Sequence, residues 1–363
     1  MARLGGDEFI ILLPGLHQPD DAAPVANKLL NCFCAPFPAD DHEFFISASI
    51  GISLFPQDGK DVATLVKNAD AAMYRAKSKG RNRVELYTHD LTFQATERMA
   101  LEHELRRALE RDEFRLHYQP KLSLATRQLT GAEALIRWQH PVFGEIPPDR
   151  FIPLAEESGL ILPIGDWALR EACRQMSQWH SQHAPFGPLS VNLAGAQLRQ
   201  PLLAQRIAGL LSDYALPAKL LQLEITEGFI MSQTEEALAI LHELKALNLE
   251  LAIDDFGTGY SSLSYLKRLP LDTLKIDKSF VQGLPEDPHD AAIARAIIAL
   301  ARSMQLTVIA EGVETQAQED FLSREGCEQI QGFIVSTPLP AEVFAKQFLS
   351  PRHAIGAAEK APV

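Results

Sequence analysis

Between residues 114 and 331 short strand-like runs alternate with helical stretches, and most runs carry a polar residue within them or at or just past their end. The candidate strands are Phe114–Tyr118, Leu129–Ile136, Leu189–Asn192, Leu220–Glu224, Leu249–Asp254, Thr273–Ile276, Leu306–Ala310 and Cys327–Gln331. Eight strands with intervening helices in about 250 residues predict an α/β chain with a (β/α)8 barrel. An open doubly wound sheet would give a similar string of elements. Polar placement favours the barrel. Glu133 lies within the second run, while Asn192, Glu224, Asp254 with Asp255, Lys275, Glu311 and Gln331 fall at or just past the ends of others. In a barrel those ends converge on one face, where active sites are built.

The densest of these stretches is Leu249–Asp277. An apolar run ends on two adjacent acids, Asp254 and Asp255, followed by a Gly- and Ser-rich loop and a second apolar run carrying Lys275. A helix cap would account for one Asp. Two adjacent carboxylates repel, and a divalent cation is the common way to keep both ionised.

Charge and composition narrow the partners. The 363 residues carry a formal net charge of −13, which argues against a surface that coats a nucleic-acid polymer. A small nucleotide remains compatible, because a local metal site overrides global charge. Hydrophobic content of 46% and charged content of 22% are those of a globular protein of about two domains. The four cysteines show no paired ligand spacing, and Cys32-Phe-Cys34 is expected to be packed core in a reducing, cytoplasmic setting. No signal peptide or membrane segment is legible, the apolar window Ala291–Met304 being broken by Arg295 and Arg302. His180 and His183 stand on a solvated helix end with no acidic or Cys partner nearby, so they are not read as metal ligands.

The first part of the chain reads differently. Gly5-Gly6-Asp7-Glu8-Phe9 forms a turn between two short strands, Ala22–Cys32 and Ala63–Ser78 are helical, and Phe44–Phe55 is expected to be a strand pair with Ile46, Ile50 and Ile52 on its apolar positions. With Ser49-Ile-Gly-Ile-Ser53 and Ala69-Asp70-Ala-Ala-Met-Tyr-Arg-Ala-Lys77, these motifs resemble the C-terminal portion of a GGDEF, or diguanylate cyclase, domain. The resemblance implies that Glu8 matches a metal-binding acid. The family's first strand, its other metal Asp and its product-inhibition motif would lie upstream of Met1, so a truncated domain without cyclase activity is expected over residues 1–90. A charged periodic helix, Thr96–Arg111, marks a connector at 91–111, and residues 351–363 read as a disordered tail.

Residues 112–350 resemble the EAL domains, the cyclic di-GMP phosphodiesterases. The motifs are Tyr118-Gln119-Pro120, Glu133-Ala134-Leu135 with Ile136-Arg137-Trp138, Val191-Asn192-Leu193, Glu224-Ile-Thr-Glu227, Asp254-Asp255-Phe256-Gly257-Thr258-Gly259-Tyr260-Ser261-Ser262, Lys275-Ile-Asp277, Glu311-Gly-Val-Glu314 and Gln331-Gly332 continuing to Pro338-Leu-Pro340. The resemblance implies metal-dependent hydrolysis of cyclic di-GMP to linear pGpG with two ions, Mg²⁺ or Mn²⁺ by the hardness of the oxygen donors. It places Glu133, Asn192, Glu224 and Asp254 on one ion, with Asp254 bridging to a second served by Asp255 and Glu311. Lys275 would orient the attacking water, and Gln331 would hold the water or metal surroundings. Gln119, Leu135, Arg137 and Pro338 would line the nucleotide, and Glu227 would brace the loop Phe256–Ser262. A homodimer through the EAL domain is also implied. Where the family usually has Ser after Asn-Leu this chain has Ala194, so the loop is expected to adjust around a retained Asn192. The alternatives are a catalytically silent cyclic di-GMP receptor acting through a protein partner, and a barrel enzyme on another substrate; retention of all the metal acids favours the phosphodiesterase.

Overall fold

The computed structural model describes residues 1–16, 18, 21–33, 37–39, 42–44, 46–80, 82–182, 186–232, 234–259 and 266–350. The expected tail 351–363, His183, Cys34 and the loop residues Tyr260–Ser262 therefore lie outside the described residues. Contacts divide the chain into Met1–His103 and Glu104–Val363.

Within the second unit eight strands close a barrel: β1 (Phe114–Ser123), β2 (Leu129–His140), β3 (Leu189–Asn192), β4 (Leu221–Thr226), β5 (Glu250–Phe256), β6 (Thr273–Ile276), β7 (Thr307–Ala310) and β8 (Gln329–Ile330). From β2 through β8 each pairs in parallel with the next. β1 runs the other way. It is antiparallel to both β2 and β8, and so closes the ring. Only Leu124–Gln128 separates β1 from β2. That link is too short for the helical crossover that a parallel pair needs, so a hairpin is the available connection.

Alternation along the strands sorts their side chains. In β4, Leu221, Leu223 and Ile225 belong to the apolar core, while Gln222 and Glu224 bond to residues of other strands across the lumen. Leu274 and Ile276 flank Lys275 in the same way on β6. The period of two thus gives an apolar outside, covered by helices, and a polar inside. Tyr118 on β1 shows the outer layer. Its ring meets Trp179 of the helix Ile161–Gln182 edge-on at 4.7 Å, and Trp179 stacks on Phe344 at 5.1 Å.

Two glycines are needed where backbones meet. A Cβ on Gly187, which has φ +110°, would lie 1.8 Å from Thr130 O, and one on Gly332 would lie 2.1 Å from Val313 O. Gly332 thereby lets the chain after β8 lie against the chain after β7.

In the first unit the turn through Gly6, at φ +53°, joins the antiparallel strands Ala2–Gly5 and Glu8–Ile10. Helices occupy Ala22–Asn31 and Val62–Ser78, the latter capped by Asp61, which accepts from Thr64 N–H at 2.8 Å. Among the described residues the expected strand pair Phe44–Phe55 does not form. His42–Phe44 pairs with Phe37–Ala39, Ile50–Ile52 pairs in parallel with Val84–Leu86, and Ile46 is exposed. The helix Val62–Ser78 supplies the crossover for that parallel pair, and Gly51 approaches it so closely that a Cβ would lie 2.0 Å from Ala69 O. Cys32 is exposed rather than core. It caps the helix Ala22–Asn31, and its thiol donates back to Lys28 O at 3.3 Å.

Trp179→Ala removes the ring shared by Tyr118 and Phe344 from a fully enclosed site. It is expected to destabilise the barrel by about 3–5 kcal/mol, read as a lower denaturant midpoint in urea unfolding followed by far-UV circular dichroism.

Candidate metal centre

Lys275 has no solvent-exposed surface. A buried ammonium requires anionic partners, and four strands supply them. Its Nζ lies 3.1 Å from Asp254 Oδ1 of β5, 2.5 Å from Glu311 Oε1 just past β7 and 3.4 Å from Glu133 Oε2 of β2, and it pairs with Glu224 Oε2 of β4. Glu133 is held from two further sides. Asn192 donates to its Oε1 at 2.7 Å and Gln331 to its Oε2 at 2.6 Å. Gln331 also donates to Gln119 Oε1 at 3.0 Å, and Gln119 donates to Ser336 O at 3.0 Å. Glu224 has a second cation, Lys121 of β1, at 2.6 Å from Oε1.

Strand alternation would turn Asp254 and Asp255 to opposite faces. A register shift between β5 and β6 after Ile253 removes that constraint, and Asp255 takes φ +54°. Asp tolerates this left-handed conformation better than most residues. Its N–H donates to Asp254 Oδ1 at 2.9 Å. The result is two groups of acids, Glu133, Glu224 and Asp254 in one, Asp254, Asp255 and Glu311 in the other. In each group one oxygen per residue lies within 4.8 Å of the others, and Asp254 belongs to both.

The electrostatics are unbalanced without a further cation. Burial raises Glu133 above the usual carboxylate range, aided by Glu224, and burial raises Glu311 well above it despite Lys275. Burial, with Asp254 and Asp277 beside it, pushes Asp255 up to about 6. Burial would raise Glu224 too, but Lys121 and Lys275 outweigh it and hold this carboxyl down at about 2. Burial opposes the charge on Lys275, yet the surrounding acids raise it well above its ordinary value. A metal ion fits this arrangement on two counts. The donors are hard oxygens with more negative charge than two ammonium groups offset. The buried Gln331 Oε1 has no hydrogen-bond partner among the described residues.

Glu227, fully buried at the end of β4, accepts from Gly257 N–H at 2.8 Å, and a Cβ on Gly259 would lie 3.1 Å from its Oε1. Leu135 and Arg137 share the face of β2 that carries Glu133 but stand two and four residues further along it, outside the acid cluster. Arg137 is 3.5 Å from Glu145 and donates to Ile136 O. Pro338 stands just before Leu339–Pro340, a short strand antiparallel to β1 opposite Tyr118 and His117. The loop after Asn192 adjusts through Gln197: Ala194 offers no side-chain cap, and its N–H donates to Gln197 Oε1 at 3.1 Å instead. Lys121 was not among the expected site residues. Its signal was a lysine two residues after Gln119, hence on the same face of β1.

The EAL domain profile matches residues 102–338, and the Diguanylate cyclase, GGDEF domain profile matches residues 1–83. The chain belongs to the EAL-domain family. The bifunctional diguanylate cyclase/cyclic di-GMP phosphodiesterase MucR of Pseudomonas aeruginosa is 48% identical over 343 residues, which are 94% of this chain and 50% of that protein. The cyclic di-GMP phosphodiesterase PdeR of Escherichia coli is 36% identical, over 96% of this chain and 52% of its own length. The chain thus spans about half the length of these relatives. A solved structure titled "PaMucR Phosphodiesterase, c-di-GMP complex" superposes with a TM-score of 0.66 at 47% identity, covering 68% of this chain and 99% of that one. No helix among the described residues of this EAL-domain protein is long and apolar enough to cross a membrane.

Lys275→Met leaves four acids, three of them buried, around an apolar side chain. In chelator the variant is expected to lose about 3–5 kcal/mol of stability, and Mn²⁺ is expected to restore part of it in the same unfolding measurement.

Proposed function

We propose that this chain hydrolyses cyclic di-GMP to linear pGpG with Mg²⁺ or Mn²⁺ held by the two acid groups. The observation that carries the reading is the sharing of Asp254 between those groups, the arrangement a two-ion site for phosphoryl chemistry calls for. Glu133, Asn192, Glu224 and Asp254 would hold one ion, and Asp254, Asp255 and Glu311 the other. When bound, such ions activate water near neutral pH and neutralise charge on an in-line phosphoryl transition state.

The chain's own residues do the remainder. A phosphodiester approaching these acids alone would be repelled, so cation loading and substrate binding go together. Lys275 would hold the attacking water: its Nζ sits among the carboxylates of the cluster and would have donors to spare where cations held those oxygens instead. Gln331 positions Glu133 through its amide N–H and keeps Oε1 available for water or an ion. Leu135, Arg137 and Pro338, with Gln119 beside Gln331, would line the nucleotide, with Arg137 facing its phosphate–sugar backbone. Glu227, buried beneath Gly257, fixes the loop that follows the two Asp residues. A silent receptor would not need the complete acid set. The same reading carries a homodimer through the EAL domain and a cytoplasmic setting. It assigns a GGDEF segment to 1–90, the connector to 91–111 and the barrel to 112–350.

Purified protein incubated with cyclic di-GMP and Mg²⁺ or Mn²⁺ is expected to yield pGpG by chromatography, with no product in EDTA and poor turnover in Ca²⁺, whose longer bonds and larger ligand number misplace the groups. Asp254→Asn is expected to lose most of the turnover, since one acid serves both groups. Lys275→Ala is expected to lower kcat by about a hundredfold or more while changing nucleotide affinity less. Full activity in chelator would sink the two-ion reading. With GTP and either metal the chain is expected to form no cyclic di-GMP, because Glu8 is the single metal acid recognisable in its GGDEF segment.

A further inference from the structure

A polar cavity of about 240 Å³ lies inside the barrel at the end opposite the acid cluster. It is lined by Lys121, Gln222, Glu250, Thr273, Thr307 and Gln329, among others, all but Lys121 from the N-terminal ends of the parallel strands. Lys121 reaches the same level because β1 runs antiparallel to β2. Its side chain is almost wholly buried, and its Nζ has three partners: Ser190 Oγ at 2.6 Å, Gln222 Oε1 at 3.3 Å and Glu224 Oε1 at 2.6 Å. Ser190 Oγ in turn donates to Gln222 Oε1 at 2.6 Å, and Gln222 Nε2 donates to Thr273 Oγ1 at 3.0 Å. The ammonium is therefore fixed from below by neutral groups and spends one donor on Glu224.

We infer that Lys121 is a positioning residue that anchors Glu224 Oε1 from beneath, so that the other oxygen, Oε2, is presented to the metal centre. The inference rests on the two-ion reading above. The two oxygens of Glu224 face different cations. Oε1 meets Lys121 and Oε2 meets Lys275. An ion entering the cluster competes with Lys275 for Oε2, and Lys121 has no part in that exchange. Without Lys121, both oxygens can turn onto Lys275, and the ion must break a two-oxygen pair to reach its ligand. Lys121 also adds a positive charge near the ions, which opposes their binding. The geometry makes orientation the larger effect, because a buried carboxylate stripped of one partner collapses onto the other.

The test is Mn²⁺ binding to metal-free protein by calorimetry, with thermal melting in chelator as the check of folding. Lys121→Met is expected to weaken Mn²⁺ binding about tenfold, in the range seen when partners of metal ligands are removed, and to lower kcat with the KM for cyclic di-GMP unchanged. Lys121→Arg keeps the cation beside a cavity with room for it and is expected to bind Mn²⁺ close to the wild-type affinity. If Lys121→Met does not fold, Lys121→Ala titrated with methylammonium reads the same anchor: Mn²⁺ affinity rises with methylammonium and not with methanol. A folded Lys121→Met that binds Mn²⁺ as tightly as wild type, or more tightly, overturns the role of Lys121 alone. That role is equally overturned if Lys121→Arg is as weak as Lys121→Met, or if methylammonium has no effect on Lys121→Ala. Wild-type protein that binds no Mn²⁺ overturns the two-ion reading and this inference with it.

Discussion

A buried lysine amid acids from four strands is the constraint on which the rest of this barrel depends. Lys275 has no access to water, and its charge persists because Glu133, Glu224, Asp254 and Glu311 surround it. Burial in turn disfavours the charged form of Glu133, Glu224 and Glu311. The pieces are mutually dependent, and none is a local feature of its own strand. Burial, with the neighbouring carboxylates, leaves Glu133 and Glu311 raised from their ordinary range, and a divalent cation would offset it. Cation binding would thereby be linked to the stability of the lumen.

Barrel interiors of this class are commonly filled by bulky apolar side chains. Here the lumen carries a second polar level beneath the acids, with Gln222, Glu250, Thr273, Thr307 and Gln329 around a cavity. The antiparallel β1 connects the two levels. Gln119 lies opposite Glu133 in the hairpin and Lys121 opposite Gly131, so one strand touches the acid cluster at one level and Glu224 from beneath at the other. Reversal of a single strand thus brings an amide to Gln331 and an ammonium to Glu224.

Much of this is legible in the amino-acid sequence. The strands Leu189–Asn192 and Thr273–Ile276 fall where the apolar runs placed them, because short runs bounded by turn residues leave little freedom in where a strand starts. The acids Glu133, Glu224, Asp254, Asp255 and Glu311, with Asn192, Lys275 and Gln331, do meet on one face. Strand direction was less legible. The string of elements does not say that the first two strands form a hairpin until β1 is seen to extend to Ser123, which leaves five residues for the connection. In the first unit, the distant partner of Ile50–Ile52 was likewise invisible, since pairing with Val84–Leu86 depends on an intervening helix.

By itself the sequence determined the family, the alternation of elements and the identity of the polar groups at the strand ends, because side-chain chemistry and local periodicity are properties of neighbouring residues. Tertiary structure decided which of those groups share a charge. The turn of Asp255 onto the same side as Asp254 needed a register shift between two strands. The anchoring of Glu224 by Lys121 needed two residues far apart in the chain to meet inside the barrel. Both follow from ring closure, which sets strand register only when all eight strands are in place.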